Sequence, residues 1–160
     1  MEKSSVYNSA IAILKCAEIE YEVFEHRPIQ NMADAIEVTG GYERENLKSL
    51  LIASGENHGI FVLPGDQRLE FSVVRSIEGL AKGKLADRRL VFEVLGCEPG
   101  SVSPIGNPKN IPVFLEESVL GFQFLFINPG DASTTLKLSL KSFFDVLSKH
   151  YDLRIFTNVA

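Results

Sequence analysis

Lys48 stands alone as an ammonium in the apolar run Leu47-Lys48-Ser49-Leu50-Leu51-Ile52. Strand alternation turns it either to the solvent face or into a cleft, where it can pair with a phosphate or hold a ribose hydroxyl. A second candidate is Gly96-Cys97-Glu98-Pro99-Gly100-Ser101-Val102-Ser103-Pro104-Ile105-Gly106, with two prolines and three glycines. Its prolines donate no backbone hydrogen bond and its glycines reach positive φ. The composition predicts a rigid surface loop fixed by Gly100 and Pro104, with backbone N–H groups open to a ligand. A third candidate, Asn128-Pro129-Gly130-Asp131-Ala132-Ser133-Thr134-Thr135, follows an apolar stretch. As structure it is a tight connection in which Asp131 caps its own turn. As function it lines the same cleft as Gly100 to Pro104, offering Asp131, Ser133 and Thr134 as hydrogen-bonding groups. His26, after a strand end, is either an acid–base group or a turn residue facing water.

Other chemistries lack their signatures. His26, His58 and His150 are too scattered for a linear zinc motif, and Cys16 and Cys97 have no C-x-x-C spacing, so neither metal nor cofactor is expected. Both cysteines are expected as buried or half-buried thiols. Neither a glycine-rich phosphate loop nor a G-x-S-x-G elbow occurs. The net charge of −5 argues against a protein that grips long stretches of nucleic-acid backbone, although contact with the end of one is compatible with it. Lys82, Lys84, Arg88 and Arg89 form the densest basic cluster and read as a solvated face between two helices. Glu116 and Glu117 read as solvated carboxylates.

The elements that must hold these residues follow from periodicity. Ser4 or Ser5 caps a helix whose stripe is Val6, Ala10, Ile13, Leu14 and Ala17. Tyr21 and Val23 face inward from a half-buried strand ending near Phe24, and Asn31 with Asp34 opens a short helix stopped at Thr39-Gly40-Gly41. Leu47 to Ile52 and Gly59 to Leu63 form strands joined by a hairpin-like connection. A helix with the inner face Leu69, Val73, Ile77 and Leu80 follows, then one capped by Asp87 and stopped by Gly96. Strands at Ile111 to Leu115, Phe122 to Ile127 and Thr134 to Leu138 lead to a helix capped by Ser139, and Tyr151 to Phe156 closes as an edge strand. Without regular strand–helix alternation, the expected fold is α/β with a mixed, partly antiparallel sheet wrapped by helices, one domain over residues 1–160. Lacking a long apolar run or a signal-like N-terminus, the chain is expected to be cytoplasmic and away from membranes.

The ordered set of motifs resembles the YbaK/EbsC family, the aminoacyl-tRNA editing domain also inserted in bacterial prolyl-tRNA synthetases. Lys48 to Ile52, Phe61 to Leu69, Gly100 to Gly106, Pro112 to Ser118 and Asn128 to Thr135 carry the resemblance. It implies a deacylase that hydrolyses the ester of mischarged tRNA, prolyl-tRNA carrying alanine, cysteine or serine. By the resemblance, Lys48 holds the terminal adenosine or its phosphate, while Gly100 and Pro104 form the Gly-x-x-x-Pro loop around the aminoacyl carbonyl. The pocket would be completed by His26, Ser101, Val102, Ser103, Ile105, Gly106, Asn128, Asp131, Ser133 and Thr134. A ribose hydroxyl or the substrate's own thiol takes part in such enzymes, so no protein nucleophile is implied. The implied partners are the acceptor end of a mischarged tRNA and an aminoacyl-tRNA synthetase. Glu116 stands where the family usually carries Asp, and Asn128 replaces the His before Pro of the alanine-specific branch, which leaves substrate choice open. The other reading is a non-catalytic module that binds an aminoacyl or nucleotide group or a protein partner.

Overall fold

The structure, a computed structural model, describes residues 3–159. Helix α1 (Ser5–Cys16) begins at Ser4, whose side chain accepts from the Tyr7 N–H, and buries Val6, Ala10 and Leu14. Cys16 falls on its outer face and is exposed, contrary to expectation, whereas Cys97 is buried. In β1 (Glu22–Glu25) the inward phase is the reverse of that expected. Val23 is 45% exposed, and Phe24 packs edge-on against Phe126 at 6.1 Å. Helix α2 (Met32–Thr39) is capped by the Asn31 side chain and ends on Gly40 in the left-handed conformation. The hairpin of β2 (Lys48–Ser54) and β3 (Asn57–Leu63) forms as the sequence suggests.

The long helix expected around Leu69 to Leu80 shrinks to α3 (Phe71–Arg75), whose buried residue is Val74. Leu69 and Leu80 are buried from irregular backbone at either end, and Gly79 at φ +87° is incompatible with continuing the helix. The short β4 (Lys84–Leu85) follows and pairs with β2 through Ile52 and Ala53. The basic cluster around it is exposed, with Arg88 bonded to Glu98 and Arg89 to Glu93. Helix α4 (Arg88–Leu95) runs from the Asp87 cap to Gly96. Then come β5 (Val113–Glu116), β6 (Phe124–Ile127), β7 (Thr134–Ser139), α5 (Leu140–His150) capped by Ser139, and β8 (Leu153–Phe156). Glu116 is not solvated. Only 4% exposed, it accepts from the N–H and hydroxyl of Ser118 and so caps the 3₁₀ turn that follows β5.

The expected mixed α/β architecture is present, with its strands divided between two sheets. One is antiparallel in the order β1-β7-β6; the other is mixed, in the order β4-β2-β3-β5-β8, with β5 parallel to both neighbours. The sheets meet where the chain enters β2. There the Leu47 N–H donates to Phe126 O at 3.0 Å, and Asn46 forms a bridge to Phe126. The larger core cluster gathers Leu14, Leu51, Ile60, Leu115, Leu125, Leu136 and Phe143 from both sheets and from α1 and α5. A smaller one on the other side of the five-stranded sheet centres on Phe61, which stacks on Phe114 at 4.5 Å and meets Phe156 edge-on at 5.2 Å. No helix among the described residues is long and apolar enough to cross a membrane. Because Phe61 is fully buried, Phe61→Ala is expected to lower the unfolding free energy by about 3–5 kcal/mol. A shift of the urea midpoint to lower concentration, with unchanged slope, checks this.

Candidate active site

Where the sheets meet, the chain leaves a cavity of about 250 Å³. One wall is Asn46, Leu47, Lys48, Ser49 and Leu50, which lead into and start β2; Phe126, Ile127 and Asn128, with Thr135 of β7, form another. Pro99, Gly100 and Val102 close a third side, and Ile29 to Met32 with Ala35 of α2 cover the fourth. The lining is mainly apolar with a few polar groups, the usual makeup of a small-molecule site.

Local chemistry explains each wall. Asn46 is 5% exposed and fixes the approach to β2: its Nδ2 donates to Tyr42 O at 2.9 Å, and its Oδ1 accepts from the Thr39 hydroxyl at 3.2 Å. Asn46 thereby ties the end of α2 to the start of β2. Lys48 is half-buried and forms part of the cavity wall, with Nζ donating to Gln67 O, outside the lining, at 2.7 Å. That bond holds a long, flexible stem in one place and leaves two ammonium protons for a ligand.

The Gly96 to Gly106 segment differs from the expected surface loop. Cys97 and the run Ser101, Val102, Ser103, Pro104 and Ile105 are buried, while Gly96 and the apex Glu98 to Gly100 are exposed. Burial is tolerable because side chains, two of them local and one from the end of α5, meet its backbone groups. The Ile105 N–H donates to Ser103 Oγ, the Asn107 side chain donates to Ser103 O, and the Gly106 N–H donates to the Tyr151 hydroxyl at 2.7 Å. Pro99 opens a 3₁₀ turn that ends at Ser101 and presents Gly100 and Val102 to the cavity.

In the opposite loop Asp131 caps its own turn as expected, its carboxylate drawing on the Ser133 N–H and the Thr134 hydroxyl, and Asn128 caps the step before it. Asn128 Oδ1 accepts from the N–H groups of Gly130 and Asp131 at 2.8 and 3.0 Å, and its Nδ2 reaches Gly100 O at 3.5 Å. The two loops thus touch across the cavity rim. Asp131 also pairs with Lys3 at 2.8 Å, and the Thr134 hydroxyl donates to it at 2.7 Å.

Of the residues singled out from sequence, Lys48, Gly100, Val102 and Asn128 converge on the cavity. Pro104, Ser101, Ser103, Ile105 and Gly106 do not line it, nor do Asp131, Ser133 and Thr134. His26 is one step removed, its Nε2 lying 2.9 Å from the hydroxyl of Thr135, which does line the cavity. Sequence reasoning missed Asn46, Phe126, Thr135 and the α2 cover. The acidic capping signal placed α2, but nothing local says which surface the helix packs on. Cys97 offers no nucleophile, since burial, helped by the charge of Glu98, pushes its thiol up to about 11.

Comparison with known proteins identifies the family. A family model for an aminoacyl-tRNA editing domain matches residues 26–146. The chain belongs to this family. The prolyl-tRNA editing protein ProX of Acetoanaerobium sticklandii is 24% identical over 137 residues, covering 82% of this chain and 84% of that protein. A proline–tRNA ligase of Desulfitobacterium hafniense is 32% identical over 94 residues; the aligned part is 58% of this editing domain and only 16% of the ligase. The fold matches that of a solved protein assigned as a trans-editing enzyme for prolyl tRNA synthetase, with a TM-score of 0.81 at 18% identity and 98% coverage of both chains. In this editing domain the cavity lies inside the matched stretch, whereas α1 precedes it.

The ion pair beside the Asn128 turn makes stability depend on pH. Burial raises the Asp131 carboxyl, but the hydrogen bonds from Lys3 and Thr134 outweigh it and hold the group below its ordinary value of 3.8; the bond to Asp131 in turn raises Lys3 above 10.5. A depressed carboxyl stabilises the fold above its unfolded pKa and ceases to do so as pH falls through the folded one; a raised amine ceases to do so as pH rises through its folded value. The difference in urea midpoint between wild type and Asp131→Asn is expected to stay constant through neutral pH and to shrink below pH 3.8.

Proposed function

We propose that the chain is an aminoacyl-tRNA deacylase that hydrolyses the ester of a mischarged prolyl-tRNA carrying a small acyl group, alanine, cysteine or serine. One observation carries this reading: in a member of the editing-domain family, Lys48, the Gly100 turn and Asn128 border one small cavity. At about 250 Å³ the cavity is smaller than the roughly 300–1,000 Å³ of sites for drug-sized ligands. It suits an aminoacyl group and the adjoining edge of a ribose better than a whole nucleotide.

The roles follow from the chemistry of the lining. The Lys48 ammonium, fixed by Gln67 O, holds the terminal ribose or its phosphate. Met32, Ala35, Phe126 and Val102 surround the acyl side chain and limit its size. Backbone N–H groups of Gly100 and Val102, with that of Ser101 already bonded to Glu98 O, stabilise the negative charge that develops on the ester carbonyl oxygen as a water oriented by a neighbouring hydroxyl attacks. The attacked carbon loses the ribose oxygen, which leaves with a proton, and the amino acid departs as a carboxylate. Orientation supplies much of the rate, since an ester needs no covalent protein intermediate for this. A net charge of −5 restricts the contact to the acceptor end and favours delivery of the tRNA by a synthetase.

Hydrolysis of alanyl-, cysteinyl- and seryl-tRNA(Pro), compared with correctly charged prolyl-tRNA(Pro), tests the reading. At least one mischarged ester is expected to turn over, and Lys48→Ala is expected to lower kcat/KM by about 10²-fold. His26→Ala, set back from the cavity, should lower it by less than about tenfold. No turnover of any mischarged tRNA would overturn the reading, leaving a module that binds an aminoacyl or nucleotide group without cleaving it.

A further inference from the structure

Helix α1 lies ahead of the stretch matched by the family model, yet it touches both loops that close the cavity. On one side it packs against Gly106, at the end of the Gly100 loop. Gly106 has φ +91°, and a side-chain carbon there would lie 2.3 Å from Val6 O and 2.9 Å from Ala10 N. On the other side it packs against Gly130, in the Asn128 turn. Gly130 has φ +100°, and an added carbon would lie 2.9 Å from Val6 Cγ1 and 3.1 Å from Tyr7 N. Two left-handed glycines from distant parts of the chain therefore seat the same turn of one helix.

Polar contacts add direction to the packing. The Ser4 hydroxyl donates to Gly130 O at 2.8 Å, and Lys3 Nζ donates to Asp131 Oδ2 at 2.8 Å and to Thr134 Oγ1 at 3.3 Å. Gly130 and Asp131 are the residues whose N–H groups hold Asn128 Oδ1, and Asn128 Nδ2 in turn reaches Gly100 O. The chain of contacts runs from Lys3 through the Asn128 turn to the cavity rim and returns through the Gly100 loop to Val6.

We infer that α1 is a clamp that fixes the distance between the two cavity loops, with Lys3, Ser4 and Val6 as positioning residues that set how large an acyl group the site admits. The inference rests on the deacylase reading for its consequence but not for its mechanics. A cavity bounded by two loops discriminates by size only if the loops cannot move apart, because one methylene of extra room weakens exclusion substantially. The Asn128 loop joins β6 to β7 and the Gly100 loop carries one 3₁₀ turn, but between Asn128 and Ser133, and from Val102 to Gly106, the backbone is irregular. The helix supplies a rigid body that both can lean on.

Two measurements on the same variants test this. Lys3→Met and Asp131→Asn remove the ion pair, and the double variant Lys3→Asp with Asp131→Lys restores it with the charges exchanged. Amide hydrogen exchange at Gly130 and Asp131 is expected to quicken roughly two- to five-fold in each single variant and to recover in the double one. The ratio of kcat/KM for alanyl- over prolyl-tRNA(Pro) is expected to fall in the single variants and recover alongside, with the main change in KM for the larger ester. Unchanged exchange would overturn the clamp. Faster exchange with an unchanged ratio would show that α1 steadies the turn without governing substrate size, and would equally overturn the inference. If the wild type hydrolyses none of the esters, the deacylase reading falls, and the exchange result alone decides whether α1 holds the turn.

Discussion

A hydrogen bond from the Leu47 N–H to Phe126 O, with the Asn46 bridge beside it, links the backbones of the two sheets above the core that they share. A cavity arises there because the strands diverge from that point: β2 turns into one sheet while β6 stays in the other. Asn46 is buried at this seam and its side chain is committed to Tyr42 and Thr39, so the position of Lys48, two residues on, is inherited from the seam rather than chosen by the lysine. Phe126 serves from the opposite strand. Its backbone takes the Leu47 bond and its ring packs against Phe24 and Phe124 at 6.1 and 6.0 Å. Moving either strand would shift a cavity wall.

Local signals in the sequence carried much of the architecture. Ser4, Asn31, Asp87 and Ser139 each cap the helix assigned to them, because a cap is decided by a side chain and backbone three residues away. The hairpin of β2 and β3 was legible for the same reason. What failed depended on contacts distant in sequence. Val23 points to solvent because β1 pairs only with β7 and turns Phe24 toward Phe126. The Leu69 to Leu80 spacing suits a helix, but the segment wraps round Val74 and is broken at Gly79. No pattern along the chain announces that β5 runs parallel to both β3 and β8, or that the strands divide between two sheets.

The candidate site divides along the same line. Lys48 and Gly100 could be singled out because an ammonium in an apolar strand and a glycine–proline turn are unusual wherever they occur. The roles of Asn46, Thr135 and α2 are invisible without the fold, since each is an ordinary residue or element placed by its neighbours. Burial of the Gly96 to Gly106 segment illustrates the physics most clearly. A stretch rich in glycine and proline reads as surface loop, but Tyr151 and Asn107 satisfy its backbone and let it become a wall.

The central claim is that the seam between the sheets holds the aminoacyl end of a tRNA. The most direct measurement is the set of backbone NMR shifts on titrating an amide-linked, non-hydrolysable alanyl-adenosine. The account predicts perturbations concentrated at Lys48, Gly100, Val102, Phe126 and Asn128. Binding that leaves those five unchanged, or shifts centred instead on the open groove between Glu20 and Lys137, would contradict it.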